Sequence, residues 1–319
     1  MGVGSPIMDL LALVDDSVLV SVGGAKGGME MMDAATMDRW IEALPGQVVT
    51  VPGGSASNTV GAMARLGVSA ALLGKLGDDE TSRHYSEKFL SLGGSSARFK
   101  VGKGRNARCL SLVTPDSQRT MRTDLGAAAT LSPDEILPAD FVGVRHVHIE
   151  GYVLFNRDLF VRVLKLAKAV GCTVSLDLAS FEVVGAAKDI LPTLLKEHVD
   201  IVFANEDESS AFFGKTEDYR SHALTFSESC RIAAVKVGKK GAHVASEGKI
   251  HDVAPLLVEK PVDTTGAGDL WAAGFLTGWL RGHDLPQCGR YGSILGAEIV
   301  RVLGAAIPEE RWPEIKKHF

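Results

Sequence analysis

PVDTTGAGDLWAAGF, residues 261–275, is the stretch on which the reading of this chain turns. Gly266, Ala267 and Gly268 carry almost no side chain, so a ligand can approach their backbone closely. Immediately downstream, Leu270 to Leu280 is apolar on nearly every face and free of proline, the pattern of a buried helix. The first amides of a helix lack intrahelical partners and lie at the positive end of its dipole. The stretch therefore reads as a cradle for an anion, with one carboxylate, Asp269, at its edge.

Outward from this stretch, short apolar runs alternate with helix-length amphipathic segments. Residues 70–77 (AALLGKLG) read as a strand and 79–93 as a helix ending at Gly93. Residues 144–151 read as a strand before a helix over 156–170, and 173–180, 199–208 and 232–244 each begin as a buried strand. The alternation predicts an α/β fold: a doubly wound, mostly parallel sheet with helices on both faces. Two segments break the rhythm, 14–50 and about 98–123. They are rich in Val, Thr, Gly and Arg, with period-two runs such as ARCLSLVT, and predict a small accessory sheet standing off the large domain as a lid.

At 319 residues, 45% hydrophobic and 23% charged, the chain has globular values that argue against disorder. A net charge of −5 gives no support to a nucleic-acid or membrane-surface partner. Cys109, Cys172, Cys230 and Cys288 are scattered without a C-x-x-C pair, which suits free thiols in a reducing compartment. The N-terminal MGVGSPIMDLLALV lacks the basic region of a signal peptide, and Ile7 stands where a myristoylation signal needs Ser or Thr. The expectation is a soluble, cytoplasmic protein.

Common nucleotide signatures fail. GVGSPI has Ile7 where the dinucleotide fingerprint needs its third glycine, and FFGKT lacks the leading glycine of a P-loop, since residue 209 is Ser. The second glycine cluster, VPGGSASNTVGAMARLG (51–67), is more telling. Gly53 and Gly54 can make a tight turn into a helix with Asn58 in its first turns, and an Asn there suits a ligand's vicinal hydroxyls. A plain Gly-Gly turn with a Ser cap explains the same residues. Asp9 reads as the end of the first strand of the open sheet, where ligands bind, or as a helix cap. Asn205, Glu206, Asp207 and Glu208 read as a solvated helix start or as a hydrated Mg²⁺ site. His146, His148 and Glu150 share one face of a strand, but with no further ligand spacing ordinary packing explains them better than a metal.

Taken together, GGSASNTVGAMARLG (53–67) and DTTGAGDLWAAGF (263–275) resemble the two signatures of the ribokinase-like, pfkB-type family of carbohydrate and nucleoside kinases. GSPIMD, NEDE and VKVGKKGA match in order and spacing, so the resemblance covers nearly the whole chain. LVTPDSQRTMRTDLGAAATLS, IEGYVLF and CGRYGSILGAEIVRVLGA look most like its adenosine-kinase-like branch. The resemblance implies one kinase domain over 1–319 with a β-sheet lid, transferring a phosphoryl group from ATP, with Mg²⁺, to a hydroxymethyl group. It implies Asp269 as general base and the amides of Gly266, Ala267 and Gly268 as an anion hole. Asp9, Gly53, Gly54, Asn58 and Glu150 would hold the acceptor, with Arg119 matching a lid arginine. Asn205 and Glu208 match the element that organises Mg²⁺ and phosphate, while Gly238, Gly241 and Thr265 would lie beside the nucleotide. Lys236, counted with these beside the nucleotide, stands where many members carry Thr, and a monovalent cation (K⁺) beside Asp263 and Thr265 is left open. The acceptor implied is adenosine at its 5′-hydroxyl, with Met29, Met31, Met32, Tyr152 and Phe155 available to line a slot for the base. Alternatives are a sugar such as ribose or fructose, or a binding protein without catalysis. Monomer and homodimer are both compatible with the chain.

Overall fold

The computed structural model describes residues 1–23, 25–116 and 118–319. Among these, nine strands form one sheet. Their order is Lys249–Val253, Ala242–Ser246, Ile232–Lys236, Ile201–Asn205, Thr173–Asp177, His146–Glu150, Gly2–Val3, Leu72–Leu76 and Phe99–Val101. Neighbours are parallel except for the two pairs made by Ala242–Ser246.

Side chains alternate across a strand, so a sheet covered on both faces needs apolar residues at every position. Ile201–Asn205 shows this directly: Val202 and Ala204 pack into one buried cluster, Ile201 and Phe203 into another. The first cluster is closed by the helices Arg157–Ala169, Phe181–Ala187, Leu191–His198 and Tyr219–Ser229. The second is closed by Ser55–Arg65, Glu80–Ser91, Ala267–Leu280 and Leu285–Ile299. Helices on both faces of a mostly parallel sheet are the doubly wound arrangement that the alternation predicts. Among the described residues no helix is long and apolar enough to cross a membrane.

Five further strands form a second, smaller sheet in the order Met29–Met31, Arg119–Asp124, Ala107–Val113, Ile7–Leu13 and Val49–Gly53. Its buried core is thin: Leu10, Ala12, Val14, Leu110 and Leu112 with Met37 from the helix Ala34–Ala43. The segment 14–50 supplies helices Asp16–Val22 and Ala34–Ala43 as well as the strands Met29–Met31 and Val49–Gly53. Phe99–Val101, in the other segment, pairs with the large sheet. Gly24 and Ser117, one in each segment, lie outside the described residues.

The first strand differs from its sequence reading. Only Gly2–Val3 belongs to the large sheet, and Ile7–Leu13 lies in the small one. Pro6 stands between them, and a proline has no N–H to continue a ladder. Asp9 is accordingly not at the end of a large-sheet strand. It lies inside a small-sheet strand, opposite Val51 on one side and Cys109 on the other.

Candidate active site

The parallel strands of the large sheet finish along one edge, where Asp177 is in register with Glu150 and Asn205 with Lys236. The helix Ala267–Leu280 begins at this edge, and the small sheet stands across from it. Between them lies a cavity of about 1330 Å³ lined by Asp9, Asn58, Arg119, Lys236, Gly268 and Asp269, among others.

Gly266 is the N-cap of that helix and takes φ 73°, a left-handed conformation that favours glycine. The Ala267 amide donates to the Thr264 carbonyl at 3.1 Å, so of the three cradle amides this one is already engaged in a turn. Asp269 sits in the first helical turn. Its Oδ1 accepts from Ser55 Oγ at 2.8 Å and its Oδ2 from Asn58 Nδ2 at 2.9 Å. Thr59 Oγ1 donates to the Asp269 carbonyl at 3.1 Å, tying Ser55–Arg65 to the same turn. Burial pushes the Asp269 carboxyl above its ordinary range, and the hydrogen bond from Asn58 opposes the shift. A carboxylate held in place and made more basic is suited to accept a proton. Asn58, expected to meet a hydroxyl of the acceptor, is turned with its amide on Asp269. The alternative of a plain turn with a Ser cap does not hold: the cap is Gly54, and the Ser55 hydroxyl bonds Asp269.

Asp9 marks the other end of the cavity. Burial raises its carboxyl to about 7, against the pull of the Arg119 guanidinium and with the help of Asp269. A Cβ on Gly53 would lie 2.1 Å from Asp9 Oδ2, and one on Gly54 would lie 2.3 Å from the Ser5 carbonyl. Both glycines are therefore set by close approach, and Gly54 also by its φ of 96°. Met29, Met31, Tyr152 and Phe155 line the cavity as the sequence suggests, and Met121 joins them. Met32 packs instead against the core of the small sheet. Glu150 lines the cavity, yet its Oε1 accepts from the Ser5 amide at 2.8 Å and its Oε2 from the Ala56 amide at 2.9 Å. Burial raises this carboxyl to about 7, and the two amides oppose that rise. Its bonds fasten the crossing between the sheets to the start of the helix Ser55–Arg65.

Along the strand edge, Asn205 and Glu208 close a capping box. Asn205 Oδ1 accepts from the Glu208 amide at 2.9 Å, and Glu208 accepts from the Asn205 amide and side chain, each at 2.8 Å. Burial raises the Glu208 carboxyl to about 8, with Asp177 adding to the rise. Gly238 and Gly241 flank a short turn that also lines the cavity. Thr265 donates to Asp263 Oδ1 from its amide at 2.9 Å and its hydroxyl at 2.7 Å, while Gly304 donates to Oδ2 at 2.8 Å. Asp263 thus binds its own loop with one oxygen and the distant backbone at Gly304 with the other.

Lys236 Nζ is 2.9 Å from Asp177 Oδ2. Asp177 has no place in the sequence reading, although it ends a buried strand just as Asn205 does, and that signal could have found it. His146 bonds Thr173 and Ser175, and His148 bonds Ser175. Among the described residues no group of three or more His, Cys, Asp or Glu could hold a metal. The donors present, Asn205 and Glu208, fit a Mg²⁺ that keeps several waters and is carried by nucleotide phosphates, not a dedicated protein cage.

The chain is similar to known proteins. The pattern of the pfkB family carbohydrate kinases matches residues 26–312. The crystal structure of adenosine kinase from Sinorhizobium meliloti superimposes with a TM-score of 0.92 at 30% identity, covering 99% of this chain and 97% of that one. An uncharacterised sugar kinase of Archaeoglobus fulgidus is 30% identical over 244 residues, 76% of this chain and 96% of its own. Adenosine kinase of Saccharomyces cerevisiae is 27% identical over 97% of this chain and 96% of its own.

Proposed function

The chain belongs to the pfkB family of carbohydrate kinases as an ATP-dependent kinase of a hydroxyl group, and we propose that its acceptor is a nucleoside, adenosine first, phosphorylated at the 5′-hydroxyl. The observation that carries this reading is the pairing in the cavity of one buried carboxylate, Asp9, with an apolar wall of Met29 and Met121 from the small sheet and Tyr152 from the turn after His146–Glu150. A carboxylate suits ribose hydroxyls and the apolar wall suits a base, whereas a free sugar would have no use for the second. The overlap with the Sinorhizobium adenosine kinase supports the same choice.

In this reading the 5′-hydroxyl points at Asp269, which Asn58 and Ser55 hold in place, and Asp269 accepts its proton as the acceptor oxygen attacks phosphorus. The Gly266 and Gly268 amides at the positive end of the helix stabilise charge on the transferring group. Mg²⁺ bound with ATP would be held through water by Asn205 and Glu208, and would neutralise charge on the nucleotide phosphates. The small sheet serves as a lid that keeps water from the phosphoryl group.

The test is a side-by-side measurement of kcat/KM for adenosine, ribose and fructose with MgATP. Adenosine should lead by a wide margin, because binding of the remote base helps align the reacting hydroxyl. If ribose or fructose matches it, the acceptor is a sugar. The Archaeoglobus relative's name favours that second reading, and Asp269 keeps the same role in it.

A further inference from the structure

Proton acceptance by Asp269 and charge stabilisation by helix amides leave one buried charge at the cradle without a purpose. Lys236 ends its strand opposite Asn205, and its ion pair with Asp177 is largely enclosed, the two side chains being 13% and 6% exposed. A Cβ built on Gly268 would stand 3.0 Å from Lys236 Nζ. The ammonium therefore lies against the residue that precedes Asp269, in the first turn of the helix Ala267–Leu280. Burial disfavours its charge, but Asp177, Glu208 and Asp269 together outweigh that and hold its pKa above the ordinary lysine value.

This is a poor arrangement for stability alone. A cation at the positive end of a helix opposes the dipole, and a buried ion pair adds little over well-packed apolar residues. It becomes favourable once a polyanion occupies the cradle, because the ammonium, the amides and the dipole then act on the same negative charge. Of the other lining cations, Lys75 pairs with Glu135 and Arg157 with Asp189, while Lys239 is exposed on the turn Gly238–Lys240. Arg119 belongs to the opposite wall, on the small sheet.

We propose that Lys236 is a catalytic residue whose ammonium binds the phosphoryl group during transfer, beside the Gly266 and Gly268 amides, and that Asp177 is the residue that positions it. The proposal rests on Asp269 acting as the base. The bond from the acceptor oxygen to phosphorus forms as the bond from phosphorus to the departing ADP oxygen breaks, and the hydroxyl proton passes to Asp269. Lys236 keeps its own proton throughout and contributes charge and hydrogen bonds.

The experiment compares wild type with Lys236→Met, Lys236→Arg and the double variant Asp177→Asn/Lys236→Met. It uses MgATP and whichever of adenosine, ribose and fructose the wild type phosphorylates fastest. Lys236→Met should lower kcat by about 10²–10³, the scale of losing one transition-state donor, while acceptor affinity by calorimetry changes by less than about threefold. Lys236→Arg should recover about tenfold of that loss, because the charge returns with different geometry. The double variant leaves no unpaired carboxylate, so it should fold normally by thermal unfolding and remain as slow as Lys236→Met. A double variant within about fivefold of wild-type kcat would overturn the proposal, since the lysine would then serve only to neutralise Asp177. Lys236→Met within the same margin would overturn it equally. If a sugar proves the best acceptor, the nucleoside reading falls, while the effect of Lys236 is read from the same ratios.

Discussion

At the carboxyl edge of the large sheet the site is assembled from strand ends and the first turn of a buried helix, whereas the facing wall is made largely of side chains carried along small-sheet strands. The first wall is backed by two extensive clusters in which Phe160, Val202, Phe203 and Phe275 are wholly buried. The second rests on Leu10, Ala12, Val14, Met37, Leu110 and Leu112, and leaves Leu13 and Met31 exposed. Elements with few buried apolar groups open at lower free energy than a domain core. In the proposed function the first wall binds the phosphoryl group, which needs fixed amides and charges, and the second admits and encloses the acceptor, which needs movement. The packing of each wall suits the task proposed for it.

The sharpest way to break this division is Asp269→Asn, which changes one atom on the rigid wall. We expect kcat to fall by about 10²–10⁴ through loss of the base, with acceptor binding intact. A variant keeping more than about a tenth of wild-type turnover would show that another group takes the proton.

Gly268→Val acts on the same wall through the backbone. Its Cβ would crowd Lys236 Nζ and screen the adjacent amide, which should cost about 3–4 kcal/mol in the transition state. Calorimetry should find acceptor affinity unchanged. Lost acceptor binding with normal turnover at saturation would contradict the placement of the two walls.

Leu110→Ala tests the thin wall. It should destabilise the small sheet by about 2–5 kcal/mol and weaken acceptor binding more than ATP binding. Hydrogen exchange should show Ala107–Val113 opening well before Ile201–Asn205, already in wild type and more so in the variant. Equal protection of the two strands would remove the basis of the comparison.

The smallest effect expected is the pH dependence carried by Asp9. Its carboxyl is raised from 3.8 to about 7, so the folded protein holds a proton between those values that the unfolded chain has released. The stability it contributes is present at low pH and declines as pH rises toward 7. Acceptor hydroxyls donating to this group favour its ionised form, so binding runs the other way. The acceptor Kd should rise by up to about tenfold per unit as pH falls below 7, and level off above it. Asp9→Asn should remove the dependence, and a Kd that is flat from about pH 6 to 8 in wild type would place Asp9 away from the hydroxyls.

Legibility in the sequence followed locality. Residues 266–269 and the apolar helix after them are neighbours in the chain, and so are the strand and helix periods of the large domain. Backbone amides, a helix dipole and an adjacent carboxylate act within one turn, so residue order alone implies an anion cradle. The same holds for Asn205 and Glu208, which cap their own helix. The small sheet was legible as a departure from rhythm, but its strand membership was not, because period-two alternation does not say which sheet a strand joins. Asp9 shows this: it lines the cavity, but from a strand of the small sheet and not from the end of a large-sheet strand.

What the sequence by itself determined was the doubly wound domain and the chemistry available at the start of one helix. Only the tertiary structure decided that Asn58 holds Asp269 across 211 residues of chain, and that Lys236 meets Asp177 across 59. It also decided that Glu150 fastens backbone at Ser5 and Ala56. The reason is physical: an Asn, Lys or Glu reads the same whether it faces water, a ligand or a partner. Which of these it meets is set by strand register and by the crossing of the two sheets, and those depend on burial summed over the whole chain.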